Sequence, residues 1–538
     1  MKQQKLILNQ MHKHKLILKF VKLNYINILI YINMNDIINY FNSEINDENK
    51  FNEYVNYLEI NNLKIDLDVD KFKNFDKFKK KRIYRHLISN KDIDLAKLNF
   101  LIDALSFKDK YLLTENEIEN ITNDVESMLE NEEILLNSSI DPYNFTRFSN
   151  IKNLNKINIL YKNLNLTKKM GNFDYIKNHN KIENLGLYIL PKLASPGFKN
   201  FRKNINYLKK KFKLFLFLDD NKENLDSSDL NFIENIYEVN FVQNLDDDEL
   251  KNLIYEKNLT IIIYIYGLYK RKKVVFDKPA PIQISYQEPP VIYPNSIYDY
   301  NLIDIYLYDL LKEHAKIDES IYKFITLKNN FILPFPYYYD QIEIKEPNFD
   351  KNYIKIGLIA YSPKISHELI YLIKKIINLN PNIYITIFGY IEKKWIDKLF
   401  DTKQVILDTY DNSNPCKLYE YIFFIDSISY NNHSTALEVI KIKRPFIGYL
   451  NVNKYHGCFS YSLIKSLKME KYFLADNLND YINLIKLYTF NEIIYKRMYH
   501  KFIKKLNQSR VLKDDFYIND FANTLNKFYE NYKQNNFI

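Results

Sequence analysis

From about residue 184 the chain alternates two textures. Short apolar runs, of the length of a buried strand, are followed by stretches whose apolar residues recur at three- and four-residue steps. Runs at 185–190, 212–218, 259–266 and 302–307 predict strands, and 246–257 predicts a helix. Pro279-Ala280-Pro281-Ile282-Gln283-Ile284 leads towards the last of these strands. A polar, proline-bearing join runs from Leu333-Pro334-Phe335-Pro336 to Asn352, and then the pattern restarts. Runs at 354–361, 383–388, 405–407, 423–428 and 445–450 predict a second set of strands, and 484–508 reads as a long terminal helix. After the first strand of this set, Leu369, Leu372, Ile373 and Ile376 share one helix face, with Ser366 as the N-cap. Such alternation builds parallel sheets wound with helices. Two successive sets predict two doubly wound lobes facing a cleft, with ligands outside the carboxyl ends of the strands.

The preceding region has a different texture. Residues 35–165 are polar with helical periodicity, as at 92–105 and 115–129, and carry no 34-residue repeat. The predicted organisation is an N-terminal extension at 1–34, a mostly helical domain at 35–170, a first lobe at 184–335, and a second lobe with C-terminal helices at 352–538. The acidic string Asp66-Leu67-Asp68-Val69-Asp70 lies outside any strand-helix pattern and reads as a loop. The apolar stretch at 23–34 carries Asn24, Asn27 and Asn33 and falls short of the roughly 18 residues of a membrane span. No transmembrane segment is expected. Translation starting at Met34 is the simplest account of that stretch; an intact mass that includes residues 1–33 would exclude it.

Composition narrows the classes. Of 538 residues, 46% are hydrophobic and 26% charged, a globular balance. Gly (8) and Trp (1) are scarce while Asn, Lys, Ile and Tyr abound, so glycine-based fingerprints are eroded. The net charge of +10 is spread along the chain, with short clusters at Lys79-Lys80-Lys81-Arg82 and Lys209-Lys210-Lys211. A nucleic-acid partner is not expected, because such binders gather their charge on one face. The two cysteines, Cys416 and Cys458, form neither a metal spacing nor a disulfide framework, which points to a reducing cytoplasm.

The segment richest in chemistry is Asp426-Ser427-Ile428-Ser429-Tyr430-Asn431-Asn432-His433-Ser434-Thr435-Ala436-Leu437-Glu438. A strand ends, small polar residues follow and a helix opens. The first turn of a helix offers unpaired N–H groups and a partial positive charge, a ready site for a pyrophosphate. Ser434 and Thr435 add hydroxyl donors, and Glu438 is placed to accept from ribose hydroxyls. Thr435 and Glu438 also spell a capping box, which stabilises a helix start with no ligand. Lys364 follows the strand at 354–361; a cation there can stabilise charge growing on a diphosphate leaving group.

Four segments, in order, resemble glycosyltransferase family 41, which contains protein O-GlcNAc transferases and bacterial adhesin N-glucosyltransferases. Lys278-Pro279-Ala280-Pro281-Ile282-Gln283 is similar to R-P-A-P-I-Q, followed by Tyr298-Asp299-Tyr300 in place of x-D-Y. Ile356-Gly357-Leu358-Ile359 through Lys364-Ile365-Ser366 resembles the strand and loop with the phosphate-contacting lysine. Asn432-His433-Ser434-Thr435-Ala436-Leu437-Glu438 resembles N-G-H-T-T-x-x-D, and the stretch from Ser462-Leu463-Ile464 to Asp480-Tyr481 resembles S-L-L-x-x-L-G-L-x-x-L-I-A-x-x-x-x-D-Y. The likeness spans roughly 184–510. It implies a GT-B fold and an inverting, metal-independent enzyme with no cofactor. The donor would be UDP-GlcNAc or UDP-glucose, and the acceptor a Ser/Thr hydroxyl or Asn amide of a protein or peptide. Lys364 would contact the diphosphate as the catalytic residue. Asn432, His433, Ser434 and Thr435 would bind the donor, with Glu438 replacing the ribose-binding Asp; His456 and Asp299 are further candidates.

The departures are specific. Glu288-Pro289-Pro290-Val291-Ile292 replaces a glycine-rich turn, Ala194-Ser195-Pro196-Gly197-Phe198 lacks a histidine, and Asp411-Asn412-Ser413-Asn414, before a helix expected at 417–422, lacks the usual lysine and histidine. Cys458 stands at an arginine position. They carry the second expectation, an inactive GT-B scaffold or chaperone subunit of a protein glycosylation system. A GT-B enzyme acting on a small molecule or glycan is the third.

Overall fold

The computed structural model describes residues 184–189, 205–265, 271–286, 292–315, 317–328, 346–360, 364–389, 393–400, 402–409, 415–428, 430–432, 434–452 and 458–536. All lie in one compact unit, Leu87–Ile538. The expected N-terminal extension, the helical domain, the acidic string at 66–70 and most of the join at 333–352 lie outside the described residues.

The first lobe is a seven-stranded sheet. Its strands are β1 (Asn184–Ile189), β2 (Lys213–Leu218), β3 (Glu238–Phe241), β4 (Ile261–Ile265), β5 (Ile282–Tyr286), β6 (Tyr300–Asp304) and β7 (Phe324–Leu327). The order is β3-β2-β1-β4-β5-β6-β7, and every pair is parallel. Helices α1 (Ser227–Ile233), α2 (Asp247–Glu256), α3 (Lys272–Phe276) and α4 (Ile305–Leu310) lie between strands. The middle strands are apolar throughout because both faces are covered: all five residues of β4, Ile-Ile-Ile-Tyr-Ile, are buried. Each such isoleucine contributes about 1.5–3 kcal/mol by leaving water.

The second lobe has six strands: β8 (Ile354–Ile359), β9 (Ile383–Phe388), β10 (Val405–Asp408), β11 (Phe423–Ile425), β12 (Phe446–Tyr449) and β13 (Leu474–Ala475). Their order is β10-β9-β8-β11-β12-β13, again all parallel. The helices are α5 (His367–Ile377), α6 (Lys393–Phe400), α7 (Ser434–Lys441), α8 (Phe459–Ser466), α9 (Glu470–Phe473), α10 (Leu478–Phe490), α11 (Glu492–Gln508) and α12 (Asp514–Asn536). Ser366 caps α5 as its sequence predicts, accepting from Leu369 N at 3.2 Å. Leu369, Leu372, Ile373 and Ile376 are all fully buried.

Three local readings change. The run at 302–307 is not one strand, because Asp304 accepts from Leu307 N at 2.9 Å and starts α4. The long helix at 484–508 is two helices, because Asn491 adopts an extended backbone and caps α11 by accepting from Ile494 N at 3.0 Å. The stretch before β11, read as a helix at 417–422, is a 3-10 helix at Pro415–Glu420.

The lobes are joined in two ways. Helix α4 of the first packs against α8 of the second. Helix α12 follows the second lobe in sequence yet covers the first sheet. Tyr517 and Tyr286 share a hydroxyl hydrogen bond of 2.9 Å, and Lys328 N donates to Asp520 Oδ2 at 2.7 Å. Phe528 packs edge-on to Tyr300, and Tyr529 to Phe212. Among the described residues, no helix is long and apolar enough to cross a membrane.

Candidate functional site

In each sheet the strand order reverses direction at one point, between β1 and β4 in the first lobe and between β8 and β11 in the second. At such a switch point the loops leaving the two strands splay apart and open a crevice at their carboxyl ends. Lys364 lies after β8 and Asp426–Asn432 after β11, so the two flank the second lobe's switch point. Gly357 lets these strands approach, since a Cβ there would lie 2.1 Å from Phe424 Cε1.

Lys364 is 6% exposed. Its ammonium donates to Asn432 Oδ1 at 2.5 Å and to Asn431 O at 3.2 Å, and lies 4.7 Å from the centre of the Tyr430 ring. Thr435 Oγ1 donates to the same Asn432 Oδ1 at 2.9 Å. Helix α7 begins at Ser434, so Thr435 is inside the first turn and does not cap it. The capping-box reading of Thr435 and Glu438 therefore does not hold. Glu438, one turn further on, is buried.

Under this loop lies Asp426, fully buried. Its Oδ1 accepts from Asn432 N at 2.7 Å and from Ser427 N at 2.8 Å, and its Oδ2 accepts from the Ser460 hydroxyl. Burial pushes the carboxyl up to about 7, although Ser460, the Asn432 N–H, Lys364 and the Ser427 N–H all pull it down. Tyr481 clamps the strand end: Asp426 N donates to its hydroxyl at 2.7 Å, and that hydroxyl donates to Ile447 O at 2.8 Å. Asn431 Nδ2 ties the loop to Ser427 O at 2.9 Å and Tyr449 O at 3.0 Å. Gly448 brings α8 close enough for Ser460 to reach Asp426, since a Cβ there would sit 2.8 Å from Ser460 Cβ. The sequence motifs single out neither Asp426 as a site residue nor Ser460; an aspartate that ends an apolar strand before a polar loop is the available signal.

The structure thus gathers Lys364, Asn432 and Thr435 at one point. Ser434 opens the helix beside them. His433 and His456 lie outside the described residues, as do the departures at 194–198, 288–291 and 411–414. Cys458 is buried at the start of α8, and burial pushes its thiol up to about 12.

Asp299 lies elsewhere. It immediately precedes β6, level with the start of β5, and so sits at the amino ends of the first sheet's strands. Both carboxylate oxygens are engaged: Lys278 Nζ donates to Oδ1 at 2.6 Å and Gln283 N to Oδ2 at 2.7 Å. Lys278 has a left-handed φ of 50°, an uncommon conformation that this ion pair helps to hold. Gln283 is locked in turn, accepting from the Tyr264 hydroxyl at 2.9 Å and donating to Val275 O at 2.9 Å. The Lys278–Gln283 and Tyr298–Tyr300 segments form one joint between β5 and β6. Among the described residues, no three His, Cys, Asp or Glu side chains gather as a metal site.

No family model matches the chain, and no curated protein matches it in sequence. Solved structures do match in fold. A point mutant of the Thermobaculum terrenum O-GlcNAc transferase aligns over 84% of this chain and 93% of its own, with 13% identity and a TM-score of 0.56. A Rickettsia africae glycosyltransferase aligns over 65% of this chain and 98% of its own, with 14% identity and a TM-score of 0.42. Anabaena HepE, solved with UDP and glucose, aligns over 64% of this chain and 100% of its own, with 11% identity and a TM-score of 0.43. Two parallel, doubly wound lobes in one chain, with the overall likeness to the first of these enzymes, make this a protein of the GT-B glycosyltransferase fold.

Proposed function

We propose that the chain is an inverting glycosyltransferase that uses a UDP-sugar, UDP-GlcNAc or UDP-glucose, without a metal or cofactor. Its acceptor in this reading is a Ser/Thr hydroxyl or an Asn amide of a protein. The observation that carries the donor site is the convergence of Lys364 and the start of α7 at the second lobe's switch point. The acceptor class rests on the resemblance of the four motifs.

Each residue has a stated task. The N–H groups of the first turn of α7 and the Thr435 hydroxyl donate to the diphosphate. Glu438 accepts from the ribose hydroxyls. As the acceptor attacks the anomeric carbon, the bond to UDP breaks and negative charge collects on the leaving diphosphate. Lys364 meets that charge with a fixed ammonium, in the position where a metal would otherwise supply it. Because Lys364 is held at the switch point before the reaction, little reorganisation is needed as charge develops.

Titration of the purified protein with UDP by calorimetry, with Lys364→Ala in parallel, tests the donor site. Micromolar binding weakened at least tenfold by the substitution is the expected result. Absence of binding at millimolar UDP would refute it in favour of a scaffold role. Transfer from radiolabelled UDP-GlcNAc and UDP-glucose to peptides rich in Ser, Thr or Asn then tests the acceptor.

A further inference from the structure

The two groups read as diphosphate donors, Lys364 Nζ and Thr435 Oγ1, both point at one protein atom, Asn432 Oδ1, at 2.5 and 2.9 Å. That carbonyl oxygen has the surroundings a phosphate oxygen would want: an ammonium on one side, a hydroxyl on the other, and the start of a helix behind it. We propose that the Asn432 side chain is a built-in competitor of the donor diphosphate, which must displace it to reach Lys364 and Thr435. The proposal rests on the donor-site reading above and deepens it.

Two further observations support the competition. Asn432 is 1% exposed, and its Nδ2 is buried with no hydrogen-bond partner among the described residues. Among the described residues the carboxamide is therefore held through its oxygen only, which leaves its N–H groups unmatched and weakens the clasp. The main chain, in contrast, is anchored independently of the side chain, because Asn432 N donates to the buried Asp426. The side chain can turn away while the loop stays in place.

Calorimetric titrations of the full-length wild type, Asn432→Ala and Asn432→Asp with UDP, inorganic pyrophosphate and uridine test this. Removing the competitor in Asn432→Ala should tighten UDP and pyrophosphate by roughly tenfold and leave uridine unchanged. The isosteric Asn432→Asp places an anion on Lys364 and should weaken both by tenfold or more, again without touching uridine. Because the Asp variant keeps the shape of the side chain, it also carries the test if the alanine variant folds poorly. UDP binding by the wild type that Asn432→Ala leaves equal or weaker would overturn the competition and keep the donor site. No binding of UDP or pyrophosphate to any of the three proteins would overturn the donor site itself.

Discussion

Two aspartates do the same local job in the two lobes, and the difference between them separates a joint from a site. Asp299 and Asp426 each accept a main-chain N–H at 2.7 Å. Asp299 sits at the amino end of its sheet, partly exposed and paired with Lys278 at 2.6 Å. Asp426 sits at the carboxyl end of the other sheet, fully buried under a loop that it holds by hydrogen bonds. An ion pair with access to water needs nothing from its surroundings, and it fastens β5 to β6. A buried carboxyl that shares its donors with a loop couples its own ionisation to that loop's shape.

The contrast can be broken in four ways. The largest effect is expected from pH. Asp426 has a folded pKa of about 7, above its ordinary value, so its contribution to stability is fully present below about pH 4 and is lost as pH rises through 7. Relative to Asp426→Asn, the wild type should lose stability steadily across that window. Urea melts of both proteins from pH 4 to 8 read this directly, and parallel curves would remove Asp426 from the account.

Next, Lys364→Ala should lower turnover about 100-fold or more, equivalent to roughly 2.7 kcal/mol of transition-state stabilisation, with the circular dichroism spectrum unchanged. Asp299→Ala should do the reverse. Leaving Gln283 N and Lys278 without their acceptor should cost about 1–3 kcal/mol of stability in denaturant melts while UDP affinity stays at the wild-type value. A tenfold loss of UDP affinity in Asp299→Ala would collapse the distinction. The smallest effect belongs to Ser366→Ala, which removes the α5 cap two residues from Lys364. It should cost about 1 kcal/mol of stability and leave donor binding unchanged, showing that nearness to the site in sequence is not membership of it.

The fold was legible wherever burial dictates the pattern. Strands covered on both faces read as unbroken apolar runs, so β9 at Ile383–Phe388 is found to the residue, and β4 and β8 nearly so. The edge strand β3, Glu238–Phe241, is only half-buried along its length, and its polar-apolar alternation covers just four residues, too short a run to stand out. Side-chain caps defeat pattern reading for a different reason: Asp304 and Asn491 change the chain's course with one hydrogen bond each, inside sequence that remains apolar on both sides. Lys364 and Thr435, both motif residues, meet at the second lobe's switch point. Their meeting on Asn432 Oδ1 was invisible, because N-G-H-T-T has glycine immediately before its histidine, and the asparagine here adds a side chain that the motif does not describe. Asp426 was hidden as well, since a carboxylate at a strand end in sequence looks the same whether water reaches it or not.

The return of α12 to the first sheet has a consequence for how the protein is made. Tyr286, Phe212 and Tyr300 take their partners from Tyr517, Tyr529 and Phe528, and the whole second lobe is synthesised between the two sets. At roughly 5–20 residues per second, the first lobe waits on the order of ten seconds or more on the ribosome without these contacts. A fragment ending at Lys328 would lack the Tyr517, Phe528 and Tyr529 contacts, and supplying residues 514–536, on a flexible tether or as a separate peptide, should raise its stability.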